Sequence, residues 1–230
     1  LAAPAAARDN DEIIVTASRY VDRHEDDTLP AATLSRRADF VVMDVTVESD
    51  SREPALRQSE LQQALAGIEQ RVRADGPVSV GLVEEGPQGA AGETRLVPFT
   101  QAAAMQTIQA GPRADTSRVR IVLRTPIGAE DTMASCRARL ETFFRSVPKP
   151  GRVATYSGAP NLSLVNPPQY RPAVVAAIMA DGTSALALAG PGHAMEVSGL
   201  ESRIAWRRSG DLELTLYLPY SLRIRAGTGE

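Results

Sequence analysis

The sequence is poor in the residues that most often carry chemistry. It holds one cysteine, Cys136, and two histidines, His24 and His193. A single cysteine excludes an internal disulfide, and the three residues together leave little for a thiolate or imidazole metal site. Lysine occurs once, at Lys149, so the basic charge is almost all arginine. Neither charge sign dominates: 25 Lys+Arg stand against 28 Asp+Glu, a formal net charge of -3. That balance argues against a nucleic-acid partner bound by bulk electrostatics. No stretch approaches the roughly 18 uninterrupted apolar residues of a bilayer-crossing helix, so the expectation is a soluble protein with no membrane-spanning segment. What is present is a 43% hydrophobic content over 230 residues, enough to build a core for one large domain or two small ones. No cofactor is expected.

The first seven residues are a small-residue run of leucine, alanine and proline, as found around a signal-peptide cleavage site. Export is the expectation. Residues 9–37 are rich in acids, Ser/Thr and Pro, and within them only residues 13–16 look extended. From Phe40 the pattern sharpens: Val41, Met43, Val45 and Val47 alternate with Val42, Asp44, Thr46 and Glu48, the period of a strand with one buried face. Asp50 and Glu53 stand in capping-box spacing, Pro54 suits a first helical turn, and Leu61, Leu65, Ile68 and Val72 share one helical face. This predicts a helix of about five turns that stops at Gly76 and Pro77. Residues 78–83 read as a strand, 86–89 as a turn and 93–99 as its hairpin partner.

Residues 101–115 read as a connection with at most a helical turn, followed by a half-buried strand through Val119, Ile121 and Leu123. A second helix is predicted over residues 129–146, with Met133, Cys136, Leu140, Phe144 and Val147 on one face, so Cys136 reads as buried filler. Residues 152–157 read as a short strand and 157–168 as a loop. A third helix is expected over 170–189, with Val174, Val175, Ile178, Met179, Ala185 and Leu186 on one face and Gly182 weakening its middle. In the last part Ile204 and Trp206, then Leu212, Leu214, Leu216 and Leu218, alternate around a Ser209–Gly210 turn, predicting a long β-hairpin. Tyr220, Leu222 and Ile224 continue that alternation past Pro219, which implies a bulge or an edge position. The fold class expected is α+β, with largely antiparallel sheets and amphipathic helices on one face.

Residues 37–48, which run from Arg37 through Phe40 and Met43 to Glu48 into the first helix, resemble the opening of SIMPL-domain proteins, an exported bacterial family. Residues 199–206 and 212–222 resemble the closing strands of the same family, and the resemblance spans residues 34–225. It implies repeated strand and helix units, a periplasmic or envelope location, assembly into higher oligomers and no established enzymatic site. On this reading residues 1–36 are a flexible or exchanged arm, 37–226 the domain, with room for two subdomains, and 227–230 a tail. Residues 86–117 and 157–168 match no pattern of the family and are where an added site would lie. A shorter stretch, residues 11–19, resembles the start of the plug domain of TonB-dependent receptors. The row of roughly ten-residue alternating strands that such a barrel needs is missing. The segment instead suits a strand that adds to a sheet edge of its own or a neighbouring subunit.

His193 follows Gly190, Pro191 and Gly192, so a glycine-rich loop presents an imidazole, yet the loop has neither a P-loop nor a Gly-x-Gly-x-x-Gly pattern and ends a helix sufficiently. No Gly-x-Ser-x-Gly elbow supports a Ser/His/Asp arrangement around His193. Adjacent carboxylates at Asp26–Asp27 and Glu84–Glu85 read as solvated. Arg118, Arg120 and Arg124 fall on one strand face, and Arg203, Arg207, Arg208, Arg223 and Arg225 decorate the C-terminal strands. Meeting faces would form an anion site; separate ones read as solvated sheet surface that discourages edge pairing. The reading that follows is a non-enzymatic, exported protein that works through self-association or an envelope protein partner. The alternative is a small-molecule-binding protein or hydrolase using Gly190 to His193 with nearby arginines and carboxylates.

Overall fold

The computed structural model describes residues 12–15, 29–74, 76–85 and 94–226. Two short strands come first, β1 (Glu12–Val15) and β2 (Leu34–Arg37). Then follow β3 (Phe40–Ser49), α1 (Pro54–Arg73), β4 (Ser79–Glu85), β5 (Thr94–Pro98), α2 (Gln101–Gln106) and β6 (Gln109–Ala110). Next are β7 (Ser117–Pro126), α3 (Met133–Arg145), β8 (Val153–Ser157) and β9 (Asn161–Val165). A 3-10 turn at Pro167–Tyr170 leads into α4 (Arg171–Ala189), and β10 (His193–Ser198), β11 (Ala205–Arg208), β12 (Glu213–Tyr217) and β13 (Ser221–Ala226) complete the chain. The fold is α+β, and every strand pairing is antiparallel. The chain divides into two units, Leu1–Val15 with Asp39–Val165, and Thr16–Ala38 with Asn166–Glu230.

In the first unit the β-branched run of β3 pairs along its whole length with β7, from Phe40 opposite Pro126 to Ser49 opposite Ser117. Val41, Met43, Val45 and Val47 on β3 and Val119, Ile121 and Leu123 on β7 are at most 2% exposed. They form one face, against which α1 packs Leu61, Leu65 and Ile68 and α3 packs Cys136 and Leu140. Val42 is equally buried because the opposite face carries its own small cluster, Val42, Leu96 and Val122 with Phe40 and Val83 against it. Each long strand feeds a helix whose following strand crosses to the far side of the other long strand: β4 pairs with β7, and β8 with β3. These are two interleaved split β-α-β units, the ferredoxin-like arrangement. Fold at this level carries many functions and names none.

Residues 157–168, expected as a loop, contain a core strand. β8 runs antiparallel along β3 from Val153 opposite Ser49 to Ser157 opposite Val45, and β9 resumes from Asn161 opposite Val42 to Ser163 opposite Phe40. Gly158, Ala159 and Pro160 span two β3 residues, Asp44 and Met43, so β8 and β9 are one strand with a bulge of one extra residue. Pro160, with no N–H to donate, sits where the ladder is broken, and the Gly158 N–H still donates to the Asp44 carbonyl at 2.9 Å. Beyond β9, β1 adds antiparallel, Glu12 opposite Val165 and Val15 opposite Leu162. β1 and β5 stand at opposite ends of the sheet order and come within 8 Å, Cα to Cα, so the sheet curls.

In the second unit β12 is the centre of a three-stranded sheet with β11 and β2, and Leu214 and Leu216 are fully buried. Leu34–Arg37, whose first three residues fall in the expected arm, is therefore a paired strand, Leu34 opposite Leu216 and Arg37 opposite Glu213. The alternation past Pro219 does not extend this sheet. The chain leaves it there, and β13 pairs with β10 in a separate two-stranded ribbon. Gly182, expected to weaken α4, is what lets α4 meet that ribbon: a Cβ there would overlap Met195 Sδ and Leu222 Cδ1. The helical face that is buried runs Val174, Ile178, Gly182, while Met179 lies 39% exposed. The turn expected at 86–89, residues 1–11, and most of the arm and tail lie outside the described residues. Because Leu164 is 1% exposed on β9, Leu164→Ala should cost about 2–5 kcal/mol of stability. A loss below about 0.5 kcal/mol in urea denaturation, the size usual for a surface position, would return this segment to a loop.

Candidate functional site

The most developed polar constellation lies where β3 passes into α1. The two-residue period of β3 continues through Ser49, Asp50 and Ser51, so the two serines point inward, 0% and 1% exposed, and Asp50 points outward. Nearly two helical turns into α1, Glu60 reaches back to both serines. Ser49 Oγ donates to Glu60 Oε2 at 2.6 Å, Ser51 Oγ donates to Oε1 and Oε2 at 2.9 and 2.8 Å, and the Arg152 N–H donates to Oε1 at 3.3 Å. Burial pushes the Glu60 carboxyl upward, but Ser49, Ser51, the Arg152 N–H and the Arg152 charge together hold it below its ordinary value. Arg57 holds the same junction from the other side, donating through Nη1 to the carbonyls of Ser51 at 2.8 Å and Arg52 at 3.0 Å and through Nε to Ser117 Oγ at 3.2 Å.

Asp50 is not a helix cap. The N-cap of α1 is Glu53, with no side-chain capping bond, and Pro54 alone supplies the first-turn preference. Instead Asp50 accepts a two-pronged bond from Arg152, Nε to Oδ1 at 2.7 Å and Nη2 to Oδ2 at 3.0 Å. Arg113 Nη2 donates to the same Oδ2 at 3.4 Å, while its Nε pairs with Asp115 at 3.2 Å. The Arg152 hydrogen bond holds Asp50 down at about 2, against a smaller upward push from burial, with the charges of Arg152 and Arg113 in support. Around this pair opens a cleft of about 290 Å³ lined by Glu48, Asp50, Arg113, Thr116, Arg152 and Tyr156. Gly151, at φ +57°, lies directly over the Glu60 carboxyl, where a Cβ would overlap it. A glycine is required there twice, for its backbone and for its lack of a side chain.

Two carboxylates, Glu48 and Asp50, face two guanidiniums, Arg113 and Arg152, in this cleft, so it has no cationic surplus with which to select an anion, and its donors are largely directed at its own acceptors. Its chemistry is that of a latch joining the entrances of α1, β7 and β8. The glycine-rich loop is a separate place. Gly190 and Gly192 take φ of 85° and 83°, and exposed His193 opens β10 with its Nδ1 3.2 Å from the Gly190 carbonyl oxygen. The imidazole thus closes its own loop. His24, Asp26 and Asp27 fall outside the described residues, as do the side chains of Glu84 and Glu85. Among the described residues no group of three or more His, Cys, Asp and Glu could hold a metal ion.

The two arginine sets divide between the two units. Arg124 Nε donates to Ser79 Oγ at 2.9 Å and its guanidinium lies 4.5 Å from the centre of the Phe40 ring; Arg118 stands opposite Glu48 in the ladder. In the other unit Arg225 pairs with Glu196 at 3.0 Å and Arg208 closes its turn on the Gly210 and Asp211 carbonyls. Arg171, which sequence reasoning passed over, donates from α4 to the carbonyls of Ser202 and Leu200. Comparison of the chain with protein-family models, with curated proteins and with solved structures finds no match.

Two outcomes test the latch. Asp50 falls from its ordinary 3.8 to about 2 in the folded protein, so its share of stability is complete above pH 4 and is lost as pH drops through that window. Denaturation midpoints of the wild type should therefore fall between about pH 4 and 2 more steeply than those of Asp50→Asn; parallel curves would remove Asp50 from the balance. Gly151→Ala should cost at least the roughly 1–2 kcal/mol of a left-handed non-glycine residue, and less in a Glu60→Ala background, where the overlap is relieved. Equal costs in both backgrounds in a double-mutant cycle would contradict the close approach.

Proposed function

We propose that this chain is an exported bacterial envelope protein of the SIMPL type that works by self-association and protein contacts, not by catalysis. The observation that carries the reading is α4. With the 3-10 turn before it the helical segment Pro167–Ala189 is 23 residues long, and its most apolar 18-residue window has a mean hydropathy of 1.6, yet only 17% of that window is buried. One face is tied down through Val174, Ile178 and Gly182; on one flank of it Met179 is 39% exposed, and on the other flank Leu188 is 91% exposed. An apolar helix left open on a folded unit marks a contact surface.

Further support comes from the repeated strand and helix units of the first unit, which agree with what the resemblance implies. By length and composition alone Pro167–Ala189 could also cross a bilayer. Asp181 in its middle and the ribbon packed against Gly182 favour a surface helix.

Light scattering over a concentration series should give a discrete homo-oligomer whose mass drops in Leu188→Asp. A monomer at every concentration would overturn the reading. Flotation of the protein with lipid vesicles would replace it with a membrane role for α4.

A further inference from the structure

The edge of β9 is a strand-acceptor slot, and β1 is its occupant. The slot is preformed by contacts that do not involve β1. Residues 161–163 pair with β3 on the inner edge, and Asp39 fixes the end of β9. Asp39 accepts from the Val165 N–H through Oδ2 at 2.8 Å and donates its own N–H to the Ser163 carbonyl at 3.0 Å. On the far side of the slot stands β5, within 8 Å of β1. An acceptor edge held this way stays a template whether or not it is filled, and an open edge of this kind recruits an extended segment.

β1 is joined to the slot in an unusual way. Its four residues belong to the first unit, but the chain that follows them, Thr16–Ala38, belongs to the second and returns to the first only at Asp39. Nothing of the ladder would change if the strand came from another copy: the pairs Glu12 with Val165, Ile13 with Leu164, Ile14 with Ser163 and Val15 with Leu162 would be the same. Residues 16–33, between β1 and β2, can span on the order of 60 Å when extended. Cis and trans pairing then differ only in the effective concentration of the strand, on the order of 1 mM for a tether of this kind.

We infer that β1 exchanges between copies, each protomer laying residues 12–15 on the β9 edge of its partner, which closes a two-fold dimer with one strand given and one received. The inference rests on the self-association proposed above: once copies are held together, a neighbour's strand competes with the chain's own at comparable concentration.

The test uses two full-length single variants, Ile14→Cys carrying a size tag and Ser163→Cys without one. Buried Cys136 is left in place and the unsubstituted chain serves as the blank. Mixed and oxidised, they should give a covalent tagged–untagged heterodimer on a non-reducing gel, in a fraction that rises with protein concentration. A double variant that closes only within the monomer, with no heterodimer from the mixture while light scattering still reports an oligomer, overturns the exchange and leaves self-association standing. A monomer by light scattering with no heterodimer overturns both. Failure of the double variant to close at all, with Glu12→Cys/Val165→Cys equally silent, overturns the β1–β9 ladder and the exchange with it.

Discussion

The β3–β7 ladder is the constraint from which the first unit is built. Ten consecutive residues of β3 face ten of β7, and the alternation along both strands decides, residue by residue, which side chains meet the helices. A slip of one residue would exchange Val41, Met43, Val45 and Val47 for Val42, Asp44, Thr46 and Glu48 on the helix-facing side. The buried valines therefore fix the register, and the register fixes where β3 ends. That end places Ser49 and Ser51 under Glu60 and turns Asp50 out to the two arginines. The latch is a downstream result of strand pairing.

The latch in turn works on connections far apart in sequence. Arg113 precedes β7 and Arg152 precedes β8, and both meet Asp50 just past β3. The surface ion pairs are individually weak; the buried carboxylate beneath them is not exchangeable in the same way, since removing either serine would leave Glu60 desolvated and short of a donor. Gly151 completes this corner by letting the chain pass over the carboxyl. The junction holds three element entrances at one corner without a hydrophobic side chain at its centre.

Much of the architecture could be read in the sequence, for identifiable reasons. β3, α1, β7 and α3 have strong periods over ten or more residues, and each was expected close to its observed range. β9 escaped because its five residues sit between Pro160 and the Asn166–Pro167–Pro168 run, punctuation that reads as loop. Its strand character comes from β3, which cannot be seen locally. Asp50 reads as part of a capping box because Glu53 stands three residues on, while its real partners lie 63 and 102 residues away. The cleft has no signal in the sequence for the same reason. β13 reads as a continuation of the hairpin because alternation survives Pro219, and periodicity does not say which sheet a strand joins.

The interleaving of the two split units has a consequence for synthesis. β3 is flanked in the sheet by β7 on one side and by β8 and β9 on the other, all of them made long after it. A ribosome delivering the chain from the N-terminus releases the valine-rich β3 with no partner, and the sheet cannot close until residue 165 has emerged. Contacts of such sequence separation favour slow folding and leave a sticky strand exposed in the interval. Asp44, Thr46 and Glu48, spaced through β3, then act as gatekeepers before they act as surface: they keep the nascent strand from pairing with its neighbours on the polysome.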